Sequence, residues 1–239
     1  MTEKKMEPAE VITDTIKRSV AEANTVTAYR EPLVAFARAN NPRFAVLRQA
    51  AEPTHMEPEE LLSGARSVVS FFLPFAEQVV EANAESRTKV AREWAVAYVE
   101  TNELIDRITG CLIERLGERN IGAAAEPSTD NFDPDTLRSR WSHKSLAVIA
   151  GLGSFGLHNM VITEAGCAGR FGSLVVDEEL PVTGYEKKTR CLFFEDGSCR
   201  ECIERCPIGA LDSGGGIDKQ RCWRRCLGVA KRYEGLGTA

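Results

Sequence analysis

The stretch from Cys191 to Cys226 reads CLFFEDGSCRECIERCPIGALDSGGGIDKQRCWRRC and holds six of the eight cysteines of the chain. Its centre, which begins at Cys199, has the pattern C-x2-C-x3-C-P. This pattern matches the last three cysteines and the proline of the bacterial run C-x2-C-x2-C-x3-C-P, whose thiolates hold iron–sulfur clusters. Asp196 stands in place of the first cysteine of that run, and Cys191 precedes it on a short loop. The spacing therefore predicts an iron–sulfur module.

The predicted metal ligands are five cysteines of this stretch: Cys191, Cys199, Cys202, Cys206 and Cys222. With Cys226 they give six thiols, which suffice for one four-cysteine [4Fe–4S] cluster and not for two. The proline after Cys206 starts a new segment, so this thiolate points elsewhere, as in two-cluster ferredoxins. The sequence leaves open which four thiols bind the cluster.

A zinc site and a set of disulfides are two other uses of these cysteines. Zinc sites often contain two separated C-x2-C pairs, whereas this stretch has one pair and a Cys-Pro step that zinc does not require. The N-terminus, MTEKKMEPAE, lacks the apolar core of a signal peptide, so we expect a cytoplasmic protein with reduced thiols. The pattern favours the cluster.

The length of 239 residues suits one large domain with a small appendage. We expect an α+β domain with a cofactor or substrate cleft over residues 1–180, and a cysteine-rich module with a C-terminal helix over residues 181–239. The net charge of −5 does not indicate a surface that binds nucleic acid or an anionic membrane. The longest apolar run, Ser67 to Phe75, is too short to span a bilayer.

Apolar spacing predicts helices over residues 9–22 and about 88–116, and Pro58 starts a shorter one that ends at Gly64. Composition rich in β-branched residues predicts strands over 67–73, 160–163 and 172–176. Residues 146–150 have helical character. His55 and His158, the latter on a predicted strand, are expected to be structural, and Cys111 is expected to be a packed thiol.

Gly151, Gly153 and Gly156 spell G-x-G-x-x-G, the dinucleotide-binding fingerprint. That fingerprint must follow a strand and open a helix, but here it follows a helical segment and precedes two strands, so a dinucleotide site is not expected. The glycines instead let the backbone come close to another chain segment, a flat cofactor or the cysteine module. On the second alternative they are predicted cofactor-binding residues.

His143, just before the glycine turn, is the candidate catalytic residue. An imidazole there could donate a proton as electrons arrive from a cluster. The alternative is a histidine that caps or orients the helix. Arg170, flanked by glycines, is a predicted cofactor-binding residue that could hold a phosphate or carboxylate. Lys144 is either a second such group or a solvated surface residue.

Short motifs in a fixed order make the chain resemble the epoxyqueuosine reductase family, a relative of the reductive dehalogenases, roughly from Met56 to Cys222. The matches are PEELL at Pro58, GARSV at Gly64, Pro74-Phe75, AGLG at Ala150, Gly172-Ser173 and the cysteine run. The resemblance implies a nitroreductase-like α+β domain joined to a ferredoxin-like module. It also implies iron–sulfur clusters that pass electrons to a cobalamin held over the first domain, which reduces a bound substrate.

The chain departs from the family pattern at three places. The family has two full cysteine runs and two clusters, whereas this chain has one incomplete run, which implies a short, single-cluster relative. The Asp-Tyr-His segment of the family is replaced by Ala97-Tyr-Val-Glu100. The catalytic aspartate of the family has no clear counterpart, although Asp130 and Asp133 lie near its place.

Together these features predict an iron–sulfur oxidoreductase that relays single electrons from one [4Fe–4S] cluster. The acceptor is a cofactor, with cobalamin implied by the family, or a small-molecule substrate in a cleft between the two domains. The expected partner is an electron-donor protein of the ferredoxin or flavodoxin type; neither nucleic acid nor a membrane is expected. Two alternatives remain: a non-enzymatic iron–sulfur electron-transfer or sensing module, and a zinc-stapled binding protein.

Overall fold

The structure is a computed structural model that describes residues 6–129, 131–185 and 187–236. Its helices are α1 (Pro8–Ala21), α2 (Arg43–Ala50), α3 (Pro58–Leu61), α4 (Glu77–Ala84), α5 (Arg92–Gly117), α6 (His143–Ala150), α7 (Leu192–Glu195), α8 (Glu201–Glu204) and α9 (Lys219–Arg232). Its strands are β1 (Leu33–Arg38), β2 (Ser67–Pro74), β3 (Ala123–Ala124), β4 (Phe132–Asp133), β5 (Arg138–Ser139), β6 (Gly153–Phe155), β7 (Val161–Thr163) and β8 (Gly169–Val176).

A four-stranded antiparallel sheet, in the order β1-β2-β8-β3, forms the centre of the α/β body, which we define as residues 8–180. Strand β2 lies inside this sheet, and all eight of its residues are buried. Its sequence, SVVSFFLP, is rich in β-branched and aromatic side chains, which favour a strand covered on both faces. Ser70 of β2 lies opposite Ser173 of β8, which fixes the register of the site described below.

Helices cover both faces of the sheet, because neighbouring residues of a strand point to opposite sides. Val69, Phe71 and Leu73 of β2 pack in a core cluster with α1 and α5. Phe72 belongs to the cluster on the other face, with α2 and α6, and its ring lies 4.4 Å from that of Phe171 between centroids. The body therefore has three layers, with the sheet between two layers of helices.

Most of the predicted elements lie where the sequence places them. Helices α1 and α5 and strands β2, β7 and β8 overlap the predicted segments, with ends that differ by up to four residues, and the helix α6 precedes the glycine turn. Strand β1 was not predicted. His158 lies in the turn between β6 and β7, so its placement on a strand is wrong. The mixed α and β fold class is confirmed, and no described helix is long and apolar enough to cross a membrane.

Helices α7, α8 and α9 belong to the cysteine segment, which we define as residues 191–236. Only Cys191 and Ala210 are buried in this segment. Five of its side chains donate hydrogen bonds to main-chain carbonyl oxygens of the body: Arg205 to Ala84 (3.2 Å), Lys219 to Leu137 (3.5 Å), Gln220 to Asp135 (3.0 Å), Arg225 to Thr88, and Tyr233 to Val90 (2.7 Å). Trp223 also meets the ring of Phe132 edge-on at 5.4 Å. The segment therefore lies against the body, and the division at residue 180 stays a prediction.

Candidate functional site

A cavity of about 240 Å³ opens between the N-terminus of α6, the start of β8 and the loop that carries β4 and β5. Its lining includes Ser128, Trp141, Ser142, His143, Lys144 and Arg170. Three residues that the sequence singles out separately therefore meet at one cavity. They are His143, Lys144 and Arg170.

Helix α6 begins at this cavity because Ser142 caps it. The Ser142 Oγ accepts the N–H of Ser145 at 3.3 Å. The N–H groups of His143 and Lys144, the first two helical residues, have no acceptor within the described part of the chain. The N–H of Ser142 donates to His55 Nε2 at 3.1 Å, so the buried His55 holds the helix start in place. The cavity thus faces the partial positive charge of a helix N-terminus.

His143 is held through both ring nitrogens. Ser173 Oγ accepts the indole N–H of Trp141 at 3.0 Å and lies 2.8 Å from His143 Nδ1, while His143 Nε2 lies 3.1 Å from the carbonyl oxygen of Pro127. A carbonyl oxygen can only accept, so Nε2 carries the proton and Nδ1 accepts the Ser173 hydroxyl hydrogen. Burial lowers the pKa of His143 to about 4, so the ring is neutral at pH 7. The geometry orients the ring, and its role as a proton donor stays a prediction.

Arg170 is an enclosed cation at the cavity wall. Its guanidinium lies 4.1 Å from the centroid of the Tyr98 ring, and its Nε is buried without a hydrogen-bond partner. Among the described residues no carboxylate forms an ion pair with it. Burial lowers the pKa of Arg170, while Tyr98, through its charge and a side-chain hydrogen bond, and the charge of Asp106 raise it. The cation therefore lacks a full counter-charge.

Lys144 links the cavity to the cysteine segment. Its Nζ donates to the carbonyl oxygen of Asn159 at 3.0 Å. Burial lowers the pKa of Lys144, the charges of Lys219 and Arg170 lower it further, and Cys222 raises it. Because Lys219 and Cys222 both lie on α9, this helix stands beside the cavity.

The three glycines of the fingerprint make close contacts with the chain itself. Gly151 ends α6 in the left-handed conformation, with φ of +94°, and a Cβ there would overlap the carbonyl of Gly184. A Cβ on Gly153 would overlap the carbonyl of Ile162, and one on Gly156 would lie 2.8 Å from the side chain of Ile162. These contacts match the first of the three alternatives, close approach to another chain segment. Cofactor binding by these glycines stays a prediction.

The cysteines of the segment are free thiols that fall into groups. Burial raises the pKa of Cys202, and the nearby Cys191 and Cys199 raise it further. The thiol of Cys226 donates a hydrogen bond to Cys222 and lowers the pKa of Cys222 to about 6.

Cys206 Sγ accepts the N–H of Ala210 at 3.2 Å. Within the described ranges, no three His, Cys, Asp or Glu side chains converge as a ready-made set of metal ligands. The grouping therefore places candidate donors near one another without closing a site around an ion.

Several residues of the site escaped the sequence-based search. Ser173 joins Trp141 to His143, and the signal for it is a pair of buried serines, Ser70 and Ser173, in register on adjacent strands. Tyr98, predicted as part of an apolar stripe, is 38% exposed, and its ring lies against the guanidinium of Arg170.

Of the two aspartates near the sequence position of the family's catalytic carboxylate, the structure describes Asp133. Asp133 is exposed and accepts the N–H groups of Asp135 and Thr136, both at 2.8 Å, so its carboxylate closes a turn. Those hydrogen bonds hold the pKa of Asp133 below its usual value. Asp130 lies outside the described residues.

Sequence comparison finds relatives of one kind. An epoxyqueuosine reductase from Bacillus anthracis is 25% identical over 171 residues, which cover 69% of this chain and 41% of that protein. One from Cyclobacterium marinum is 24% identical over 173 residues, 70% of this chain and 50% of that protein. The chain thus spans at most about half the length of these curated relatives. No family model matches the chain.

Structural comparison gives a similar fold. An epoxyqueuosine reductase from Streptococcus thermophilus superposes with a TM-score of 0.59 at 17% identity, over 88% of this chain and 56% of that chain. A reductive dehalogenase whose structure suggests a mechanism for B12-dependent dehalogenation superposes with a TM-score of 0.56 at 14% identity, over 80% and 26% of the two chains. At such identities these likenesses show the fold. Together with the sequence matches they confirm the predicted family relationship.

Proposed function

We propose, on the premise that the chain is a relative of the epoxyqueuosine reductases, that it is an iron–sulfur oxidoreductase which reduces a small substrate in the cavity beside α6. In this proposal the α/β body is a nitroreductase-like domain that holds the substrate. The cysteine segment is a ferredoxin-like module that holds one [4Fe–4S] cluster, with the domain boundary near residue 180. A reducing compartment, the cytoplasm, keeps the thiols free for this role.

The observation that carries the proposal is the packing of α9, which holds Cys222, beside the cavity. The ring of Trp223 meets that of Phe132 at 5.4 Å, and Gln220 donates to the carbonyl oxygen of Asp135, in the loop that carries β4 and β5 and borders the cavity. The thiols and the cavity therefore share a boundary, although they are far apart in sequence. A redox group held by the cysteine segment would lie beside a molecule held by the body.

The donor set suits an iron–sulfur cluster in its chemistry. All six thiols of the segment are free, and Cys191 and Cys199 lie near enough to Cys202 to raise its pKa. An N–H donated to sulfur, as from Ala210 to Cys206, is among the contacts that tune cluster potentials. We propose that the ligands are four of the five predicted cysteines, which are Cys191, Cys199, Cys202, Cys206 and Cys222. When bound, the cluster supplies single electrons.

Cobalamin, which the family relationship implies, does not fit the cavity. Pockets for drug-sized molecules have volumes of about 300–1,000 Å³, and this cavity of about 240 Å³ cannot enclose a corrin ring. No step of the proposed reaction is therefore derived through cobalamin. A substrate smaller than a typical drug is what the space admits.

The residues of the chain itself bind and orient the substrate. Arg170 and Lys144 place two cationic groups at the wall. Trp141 and Phe171 supply apolar surface that excludes water. His143 is neutral, and its hydrogen bonds with Ser173 and Pro127 connect the start of α6 to the cavity wall.

The test is metal and sulfide analysis of the full chain purified without oxygen. We expect about four iron and four sulfide per chain, with no cobalt. Cys202→Ser should lose both, whereas Cys167→Ser and Cys111→Ser, which change thiols outside the segment, should keep both. Zinc without sulfide would refute the redox proposal and leave a zinc-stapled binding protein.

Reactivity separates an enzyme from an electron carrier. The reduced cluster is followed by electron paramagnetic resonance while small candidate substrates are added. Oxidation by a small molecule, slowed in Arg170→Gln with the cluster signal of that variant unchanged, supports the enzyme. Oxidation only by another protein would favour the electron-transfer or sensing module.

The electron donor that we propose is an acidic protein of the ferredoxin or flavodoxin type. Helix α9 carries a series of basic side chains, of which Arg224 is exposed. Such a surface steers an acidic partner at low salt. A fall in reduction rate with rising salt, larger for the native chain than for Arg224→Gln, is the expected result.

A further inference from the structure

We infer that the cavity binds a small substrate carrying an oxyanion, a carboxylate or a phosphate, which Arg170 and Lys144 hold at the N-terminus of α6. This inference names the substrate class, and it rests on the proposed function for the assignment of the cavity as the substrate site.

Arg170 supplies the first observation, because it is an unsatisfied buried donor. Its Nε is enclosed and donates to nothing, although buried polar groups in proteins are nearly always hydrogen-bonded. The guanidinium stacks on Tyr98, which holds the planar fork in one orientation. A fork held in this way matches the geometry of a carboxylate or phosphate better than that of a neutral group.

The start of α6 supplies a second and independent observation. The N–H groups of His143 and Lys144 have no acceptor in the described part of the chain, and both residues line the cavity with the cap residue Ser142. Backbone N–H groups at a helix start favour negative charge. The Lys144 ammonium adds a full positive charge at the same place.

The charges at the cavity wall also favour an anionic ligand. Arg170 lowers the pKa of Lys144, and Lys144 lowers that of His158, while Cys222 raises that of Lys144. The carboxylate that acts on Arg170 is Asp106, but it accepts the N–H of Ser128 and makes no ion pair with the arginine. An oxyanion in the cavity would neutralise this excess of positive charge.

The remaining lining sets the size of the ligand. Trp141, Met160 and Phe171 give the cavity apolar surface beside its cationic groups. A volume of about 240 Å³ leaves room for a short carbon skeleton beyond the anionic group. The cavity therefore selects small amphipathic anions.

Calorimetric titration of the anaerobic, cluster-loaded full chain with benzoate and with inorganic phosphate tests the inference. We expect one of the two probes to bind, and its identity assigns the carboxylate or the phosphate class. Arg170→Gln and Lys144→Gln should each weaken binding at least about tenfold, the effect of losing one charged hydrogen bond. Arg43→Gln is the matched control, because Arg43 also stacks on a tyrosine, Tyr185 at 3.9 Å, but is exposed and away from the cavity.

Failure to bind either probe, or unchanged affinity in both cavity variants, would overturn the inference. Arg170→Lys keeps a positive charge without the planar fork, so it provides the arginine test if Arg170→Gln does not fold. No electron transfer occurs in the titration. Binding without any later reduction of a substrate would therefore count against the proposed function and leave the anion site standing.

Discussion

The α/β body and the cysteine segment are held together by different means. The body buries two large apolar clusters, one on each face of its sheet. The cysteine segment has only Cys191, at 9% exposure, and Ala210, at 5%, below the surface, and α7, α8 and α9 bury no residue. Apolar burial is the main stabilising term in folding. The segment therefore requires another source of stability, which a bound cluster and the contacts with the body would provide.

The largest expected effect is loss of the segment without loss of the body. Cys202→Ser removes a proposed ligand. Structural zinc contributes on the order of 10 kcal/mol to small metal-folded domains, and we expect a comparable loss here. Hydrogen exchange should show unprotected amides in α8 and α9, while the amides of β2 keep native protection.

Cys167→Ser is the control for this prediction, since Cys167 lies in a turn of the body. It should keep the protection of α9. If α9 stays protected in Cys202→Ser as well, the two regions do not differ in the way that their burial indicates.

The reverse comparison uses one phenylalanine from each region. Phe72 is fully buried against Phe171, so Phe72→Ala should lower the free energy of unfolding by about 3–5 kcal/mol. Phe194 of α7 is 51% exposed, so Phe194→Ala should cost about 0.5 kcal/mol or less. Urea unfolding followed by tryptophan fluorescence measures both, and similar losses for the two would contradict the comparison.

One pH effect should arise in the body. The pKa of His143 is about 4 in the folded chain and 6.5 ordinarily, so between these values the unfolded chain binds a proton that the folded chain does not. Stability is then full above pH 6.5 and falls by up to about 1.4 kcal/mol per pH unit as the pH drops towards 4.

Urea unfolding of the native chain and of His143→Gln across pH 4.5–6.5 tests this slope. The variant should lose most of it. Burial also lowers the pKa of His55 and His158, which leaves a smaller slope of the same sign. An equal slope in the two proteins would show that His143 titrates normally.

The smallest effect concerns a polar group in the apolar interior of the body. Asn102 is 4% exposed, and neither its side-chain oxygen nor its nitrogen has a hydrogen-bond partner. Asn102→Leu removes that unsatisfied amide at similar volume, so we expect the free energy of unfolding to rise by about 1 kcal/mol. Thermal unfolding measures it. A destabilised Asn102→Leu, with Asn102→Ala no worse, would mean that the amide is satisfied in solution.

Single helices and strands can be predicted from this sequence, but contacts between residues that are distant in the sequence cannot. Strand β2 is an uninterrupted apolar run and α5 has long apolar periodicity, so both were found. Strand β1, LVAFAR, is short and lies between proline-containing segments, so its pattern was too weak. The cysteine spacing indicates a cluster, but not which thiols lie together.

The cavity shows the same limit. Residue type and sequence neighbours point to His143, Lys144 and Arg170 one at a time. Their meeting depends on the pairing of β2 with β8 and on the packing of α6 against both strands, which are contacts between distant parts of the chain. The contact of Tyr98 with Arg170 cannot be predicted for the same reason. The guanidinium that lies over this ring comes from β8, far away in the sequence.

The hydrogen bonds that seat the cysteine segment have a consequence for how the protein can evolve. Arg205, Arg225, Gln220 and Tyr233 all donate to main-chain oxygens of the body. Every amino acid offers such an oxygen, so the residues at positions 84, 88, 90 and 135 can change without loss of these hydrogen bonds. Selection at this junction would act on the donors of the segment, and the surface beneath them would be free to diversify.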